Sequence, residues 1–87
     1  MKSRTTKRFR KAFAELPGEI QDISRGAYER FKVNPRHPSL KFKRIHGSRP
    51  IYSVRITLGY RAIGVRDGDD MLWLWIGSHA DYDRLIK

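Results

Sequence analysis

Four residues in the second half of the sequence have side chains suited to chemistry on a phosphate group: Arg55, Arg61, His79 and Tyr82. A guanidinium offers two parallel N–H donors that match two phosphate oxygens. An imidazole gains or loses a proton near neutral pH, which suits a general acid or base. Side chains of these types can bind an anion and transfer a proton.

A metal ion is not expected in this chemistry. The sequence has no cysteine, and its three histidines, His37, His46 and His79, lie far apart along the chain. The acidic residues form no cluster at ligand spacing apart from the turn Asp67–Asp70. We therefore predict that the protein needs no metal ion and no other cofactor, and we interpret His37 and His46 as surface residues.

Positive charge is the strongest feature of the composition. The chain has 19 Lys and Arg against 9 Asp and Glu, which gives a formal net charge of +10. Between Lys32 and Arg66 there are nine basic residues and no acidic one. This distribution indicates a polyanionic partner, while a solvated basic surface or attraction to anionic lipid is the plainer alternative. Because the basic residues alternate with apolar ones, nucleic acid is favoured. The residues predicted to bind it are Lys41, Lys43, Arg44 and Arg49.

Length and composition also limit the architecture. Eighty-seven residues can bury one modest core, so residues 1–87 are predicted to form a single domain. The charged N-terminal segment leads into no apolar stretch, and no apolar run reaches the roughly 18–20 residues that cross a bilayer. A chain without cysteine also fits a reducing compartment. We expect a cytoplasmic protein that does not contact a membrane.

Helical periodicity dominates the first part of the chain. Apolar residues recur at helical spacing from Phe9 to Leu16, after a candidate N-cap at Thr5 or Thr6. A second amphipathic helix is predicted to start at Pro17, which suits a first helical turn, and to end before Pro35.

Past Ser39 the apolar period changes from 3.6 to 2, which predicts strands. They are Leu40–Lys43, Ile51–Leu58, Tyr60–Arg66 and Met71–Ile76, the last apolar on both faces and therefore central. Ser78 is a candidate cap before a short final helix, Asp81–Ile86. The order predicts an α+β fold in which an N-terminal helical hairpin packs on one face of a twisted, mainly antiparallel sheet of three or four strands. The other face is left for function.

Several short motifs follow one another along these elements. They are Leu16-Pro17, Asn34-Pro35, Leu40-Lys41-Phe42-Lys43 with Gly47, Tyr52-Ser53-Val54-Arg55, Gly59-Tyr60-Arg61, and Ile76-Gly77-Ser78-His79-Ala80-Asp81-Tyr82. In this order and spacing they resemble the RelE/ParE superfamily, the toxins of bacterial toxin–antitoxin modules. The resemblance covers essentially the whole chain and implies a RelE-like fold.

For the branch of this superfamily that cleaves RNA, the resemblance implies a metal-free mRNA interferase acting on the ribosome. The RNA 2′-hydroxyl attacks the adjacent phosphate, Arg55 stabilises the transition state and Arg61 clamps the phosphate. His79 would be the general acid or base, and Tyr82 would stack on a base or move a proton. Each residue also has a plainer interpretation. Arg55 only binds the RNA backbone, and Arg61 forms an ion pair with Asp81 or Asp83. His79 is a capping or surface residue, and Tyr82 is a core residue.

The resemblance also implies a cognate antitoxin. An unprotected toxin would harm its own cell, so an acidic, partly disordered antitoxin segment is expected to cover Arg55 and the strand Lys41–Arg44. The sequence departs from the RelE prototype in having Ser53 where a Lys is expected and His79 in place of an Arg. These departures predict a reaction based on histidine, or a weak nuclease.

Two other functions are compatible with the same scaffold. One is a ParE-like toxin that binds DNA gyrase, against which the segment Gly77-Ser78-His79 and the nearby Tyr82 argue. The other is an RNA-binding module without chemistry, for which the charge alone would suffice.

Overall fold

The computed structural model describes residues 1–86, which fold as three helices and a mixed five-stranded sheet. The elements, in chain order, are β1 (Lys2–Thr5), α1 (Lys7–Ala14), α2 (Gly18–Val33), a single 3-10 turn (Pro38–Leu40), β2 (Lys43–Arg44), β3 (Ile51–Thr57), β4 (Tyr60–Asp67), β5 (Asp70–Ser78) and α3 (His79–Ile86). The predicted α+β fold, with its N-terminal helical hairpin and short C-terminal helix, is confirmed. Within residues 1–86, no helix combines the length and the hydrophobicity needed to cross a bilayer.

The helix boundaries follow from local side-chain chemistry. Thr6 is the N-cap of α1, and its Oγ1 accepts a hydrogen bond from the backbone N–H of Phe9 at 3.1 Å. Pro17 is the N-cap of α2, one residue before the helix begins. Ser78 precedes α3, and its Oγ accepts from the backbone N–H of Asp81 at 3.2 Å. The predicted caps at Thr6 and Ser78 are therefore present, although α3 begins at His79 rather than at Asp81.

The strand order β1-β5-β4-β3-β2 differs from the prediction at one edge of the sheet. The segment Lys2–Thr5, which carries no apolar period, is an edge strand parallel to β5. It is held there by the ladder and by Trp73, whose indole N–H donates to Ser3 Oγ at 2.6 Å. The sheet therefore has five strands instead of three or four. Its middle strand is β4, while β5 lies between β1 and β4.

The predicted strand Leu40–Lys43 is wrong in its first half. Pro38–Leu40 forms a 3-10 turn, Lys41 adopts a left-handed conformation with φ 47°, and only Lys43–Arg44 pairs with β3. Leu40 is completely buried, so its side chain anchors this turn in the core. Burying a leucine side chain stabilises the fold by roughly 1.5–3 kcal/mol. The burial of Leu40 therefore favours the turn over the strand that the alternating pattern predicted.

The main core lies between the helical hairpin and one face of the sheet, which we call the hairpin face. Phe31 of α2 meets the ring of Trp73 edge to face, with centroids 5.2 Å apart, and Val54, Ala62 and Ile76 complete the sheet side. Along a strand, side chains alternate between faces. The neighbours of these core residues in β3 and β4 therefore point to the opposite side, which we call the open face.

Candidate functional site

Arg55 and Arg61 lie directly opposite each other on β3 and β4. Their strand neighbours Val54 and Ala62 are buried in the hairpin-face core, so both arginines project from the open face. This placement agrees with the prediction. Two like charges at directly paired positions repel each other, and this repulsion is relieved when an anion lies between them.

His79 is the first residue of α3 and stands beside Arg61. Its backbone N–H donates to the carbonyl of Gly59 at 2.7 Å, which fixes the start of α3 to the turn between β3 and β4. Arg61 Nε then donates to His79 Nδ1 at 3.3 Å. Because Nδ1 acts as an acceptor in this contact, the proton of the neutral ring belongs on Nε2.

Asp83 completes the cluster on the other side of the imidazole. Its Oδ2 lies 3.5 Å from His79 Nε2, and the two residues are four apart on α3. The side chains of His79 and Asp83 are each about half exposed, at 48% and 46%. The imidazole therefore lies between a guanidinium and a carboxylate at the surface. The sequence analysis did not assign Asp83 this role, because its predicted helix starts at Asp81; a helix that starts at His79 would have placed the two residues one turn apart.

The alternative ion pair of Arg61 with Asp81 or Asp83 does not form. Asp81 pairs with Arg84 within α3, and Asp83 faces His79. Arg61 instead directs Nε toward the histidine, and its guanidinium carbon lies 5.3 Å from the centroid of the Tyr82 ring.

Tyr82 is buried, with 5% of its surface exposed. Its hydroxyl makes a long hydrogen bond of 3.5 Å to Oγ of the fully buried Ser53 on the open face. The imidazole of His79 stacks on its ring, with centroids 5.9 Å apart and an angle of 22°. This burial favours the plainer interpretation of Tyr82 as a core residue, whose ring serves as a platform for Arg61 and His79. A role in stacking on a base or in moving a proton stays a prediction.

One guanidinium nitrogen of Arg61, Nη1, is buried and has no hydrogen-bond partner among residues 1–86. Leaving a buried donor unpaired costs about 1–3 kcal/mol, and more when the group is charged. The unpaired donor and the repulsion between Arg55 and Arg61 both destabilise the fold. Stability therefore does not explain the Arg55–Arg61–His79–Asp83 cluster. Such an arrangement is a candidate functional site.

The four basic residues predicted to bind nucleic acid do not share one face: Lys43 pairs with Ser53 of the open face, whereas Arg44 pairs with Tyr52 of the hairpin face. Lys41, Lys43, Arg44 and Arg49 are all exposed, at or near the β2 edge of the sheet. Arg44 Nε donates to the backbone carbonyls of His46 and Arg49, at 2.9 and 3.1 Å, and so braces the loop before β3. The single basic patch expected from the sequence is divided between two parts of the molecule.

The side chains of the other two histidines form hydrogen bonds that stabilise loops. His46 is exposed and its Nδ1 accepts from the backbone N–H groups of Ser48 and Arg49. His37 is partly buried and its Nδ1 accepts from the backbone N–H of Ser39 at 3.2 Å. Across the described part of the chain, no three metal-ligating side chains of His, Cys, Asp or Glu come together.

The family model for the ParE-like toxin domain matches residues 19–84. Among curated proteins, none matches the sequence significantly.

Similar solved structures cover nearly the whole chain. A chain of the RelB-RelE antitoxin-toxin complex from Methanococcus jannaschii has a TM-score of 0.76 at 19% identity, over 95% of this chain and 98% of that one. A chain of the RelE-RelB complex from Pyrococcus horikoshii has a TM-score of 0.71 at 16% identity, over 88% and 92%. YafQ from Escherichia coli has a TM-score of 0.70 at 13% identity, over 92% and 94%. The likeness to these structures is one of fold.

Proposed function

The chain belongs to the ParE-like toxin domain family, and we propose that it is the toxin of a toxin–antitoxin module that cleaves RNA at its open face. The observation that carries this proposal is the position of His79, held between Arg61 and Asp83, with Arg55 paired opposite Arg61 on the neighbouring strand. An imidazole and two guanidinium groups are the side chains that phosphodiester cleavage needs.

In the proposed reaction, the scissile phosphate binds between Arg55 and Arg61. The phosphate draws the Arg61 guanidinium toward its oxygens, which releases Nδ1 of His79 as a proton acceptor. His79 takes the proton of the RNA 2′-hydroxyl as its oxygen bonds to phosphorus. The bond from phosphorus to the 5′-oxygen breaks, leaving a 2′,3′-cyclic phosphate, and the 5′-oxygen takes a proton from water.

The surroundings of His79 support each part of this step. Asp83 stabilises the imidazolium once it has formed, since a carboxylate near a cation favours the charged form. Arg55 and Arg61, which occupy paired positions on β3 and β4, stabilise the charge that develops on the phosphate oxygens. Tyr82 and Ser53 act as positioning residues beneath the cluster.

The substrate is proposed to be mRNA, which is cleaved fastest on the ribosome and more slowly as a free strand. A gyrase-binding toxin would need no imidazole between a guanidinium and a carboxylate, and neither would an RNA-binding module without chemistry. Two assays together separate the three functions. The purified protein is added to a translating extract containing one mRNA, and new 5′ ends are mapped. New ends appear only if the protein cleaves, and supercoiling by purified gyrase then reports on the alternative target.

Cleavage is expected to continue at an unchanged rate in EDTA, because the proposed groups are side chains of the protein. The measurement uses a naked RNA substrate, since chelation of Mg²⁺ also dissociates ribosomes. If activity is lost in EDTA and returns with Mg²⁺ on this substrate, the mechanism is wrong.

An antitoxin with an acidic segment is the proposed protein partner, as the net charge of +10 and the two facing arginines favour. Two of the similar chains come from RelB-RelE complexes. When a complex forms, amide hydrogen exchange around Arg55, Arg61 and His79 is expected to slow. A complex that inhibits cleavage but leaves exchange at these residues unchanged would argue against simple occlusion.

A further inference from the structure

A cationic groove, separate from the Arg55–Arg61–His79–Asp83 cluster, lies at the opposite end of the sheet from His79. It runs between the loop that follows α2 and the adjoining ends of β3 and β4. Its lining consists of Met1, Pro35, Arg36, His37, Pro38, Lys41, Phe42, Lys43, Arg44, Tyr52 and Arg66. This lining includes five Lys or Arg residues and no Asp or Glu. Within residues 1–86, none of the five forms an ion pair.

The groove is separate from the proposed cleavage site. Arg61 and Arg66 both lie on β4, five residues apart, which corresponds to about 16 Å along a strand. An odd spacing also places them on opposite faces, and the hairpin-face residue Tyr52 accordingly lies under the Arg66 guanidinium. One molecule bound at Arg61 therefore reaches the groove only by passing around the edge of the sheet.

The loop side of the groove is fixed before any ligand binds. Asn34 Oδ1 accepts from the backbone N–H of Arg36 at 3.1 Å, and the backbone N–H of His37 donates to the carbonyl of Asn34 at 3.0 Å. Two prolines and the buried Leu40 restrict the rest of the loop. Arg36 and Lys41 are thus presented from a rigid segment, which lowers the entropic cost of binding.

The sheet side of the groove is aromatic. Phe42 stacks on Tyr52, with centroids 4.9 Å apart, and its edge meets the buried Phe31 at 5.1 Å. The guanidinium of Arg66 lies 5.6 Å from the centroid of the Tyr52 ring. Both Phe42 and Tyr52 remain partly exposed. In proteins that bind a single nucleic-acid strand, a row of basic side chains contacts the phosphates and aromatic rings stack on the bases.

We propose that this groove binds single-stranded RNA outside the cleavage site. The phosphates contact Arg36, Lys41 and Arg66, while a base packs against Phe42 and Tyr52. An acidic peptide would match the charge, but it would have no need of the aromatic wall. The groove adds a second point of attachment, so it increases affinity for a long strand without taking part in the reaction. This binding does not depend on cleavage.

The test measures RNA affinity in a background that does not cleave. In the full-length His79→Ala protein, the fluorescence anisotropy of a labelled oligouridylate is followed over a range of salt concentrations. Adding Arg36→Ser and Lys41→Ser is expected to weaken binding at least about tenfold. It should also lower the slope of log K against log salt by roughly 1.4, since each lost phosphate contact contributes about 0.7 for a single strand. Both residues are exposed, and circular dichroism checks that the fold is retained.

The matched control removes two charges elsewhere. Lys7→Ser with Lys11→Ser lowers the net charge equally, on the exposed surface of α1, and is expected to change the affinity less than about twofold. Equal weakening by both double variants would show that only net charge matters, and would overturn the proposal. It would also be overturned if polyglutamate displaced the oligouridylate as effectively as unlabelled RNA does. Failure of the cleavage assay leaves this measurement unaffected, so the two proposals are tested independently.

Discussion

Replacing His79 by alanine is expected to lower the rate of RNA cleavage by roughly 10²–10⁴-fold, the contribution of a well-placed general acid or base. His79 is the only imidazole in the described cluster, and Arg61 and Asp83 hold it from both sides. Its side chain is about half exposed, so its removal leaves no large cavity and the fold should persist. The rate constant is measured on a single RNA substrate at saturating protein.

The matched control for this variant is His46→Ala, which removes an exposed imidazole from a loop at the β2 edge. Its cleavage rate should stay near that of the wild type. Circular dichroism of both variants checks that a lower rate does not come from loss of the fold. If His79→Ala cleaves within about twofold of the wild type, His79 is not the base.

Asp83→Asn separates orientation from proton transfer. The amide keeps the size of the side chain but no longer stabilises an imidazolium. Its cleavage rate should lie between those of the wild type and His79→Ala. If Asp83→Asn lowers the free energy of unfolding but leaves the cleavage rate at the wild-type value, Asp83 acts only in the fold.

Replacing Arg55 by alanine is expected to lower the cleavage rate by roughly 10²–10³-fold, the usual loss when one charge-stabilising donor is removed. RNA affinity should fall as well, because a phosphate contact acts in the ground state and in the transition state alike. The unfolding free energy should rise, in contrast, by about 0.2–1 kcal/mol, since the cross-strand repulsion with Arg61 disappears.

This opposite response of activity and stability distinguishes a functional arginine from a structural one. Lys11→Ala serves as the control, because it removes one exposed positive charge from α1 and should alter neither quantity appreciably. Cleavage rates and urea unfolding curves are measured for both variants. A less stable Arg55→Ala protein that still cleaves at the wild-type rate would contradict the assignment and would make Arg55 a packing residue.

Much of the fold could be predicted from the sequence because the signals for it are local. The period of 3.6 around Phe13 and Phe31 and the period of 2 around Val54 specify which faces are buried. The caps at Thr6 and Ser78 are chemical features of single residues. The same alternation correctly places Arg55 and Arg61 on the face away from the hairpin, since their neighbours are the buried ones.

Other features were decided by contacts between distant parts of the chain. Residues Lys2–Thr5 have no apolar period, and they form a strand only because the edge of β5, about seventy residues later in sequence, is available to pair with them. Leu40 leaves the expected strand because the core has a site for it. That turn moves Lys41 away from the open face and divides the basic residues between two sites.

The candidate site shows the same division. The sequence by itself determined its chemical types, the strong positive charge and the common face of the two arginines. Only the tertiary structure decided that α3 folds back onto the sheet, which buries Tyr82 and brings His79 to Arg61. The physical reason is that local periodicity depends on neighbouring residues, whereas the position of a terminal helix depends on the summed packing of the whole core against it.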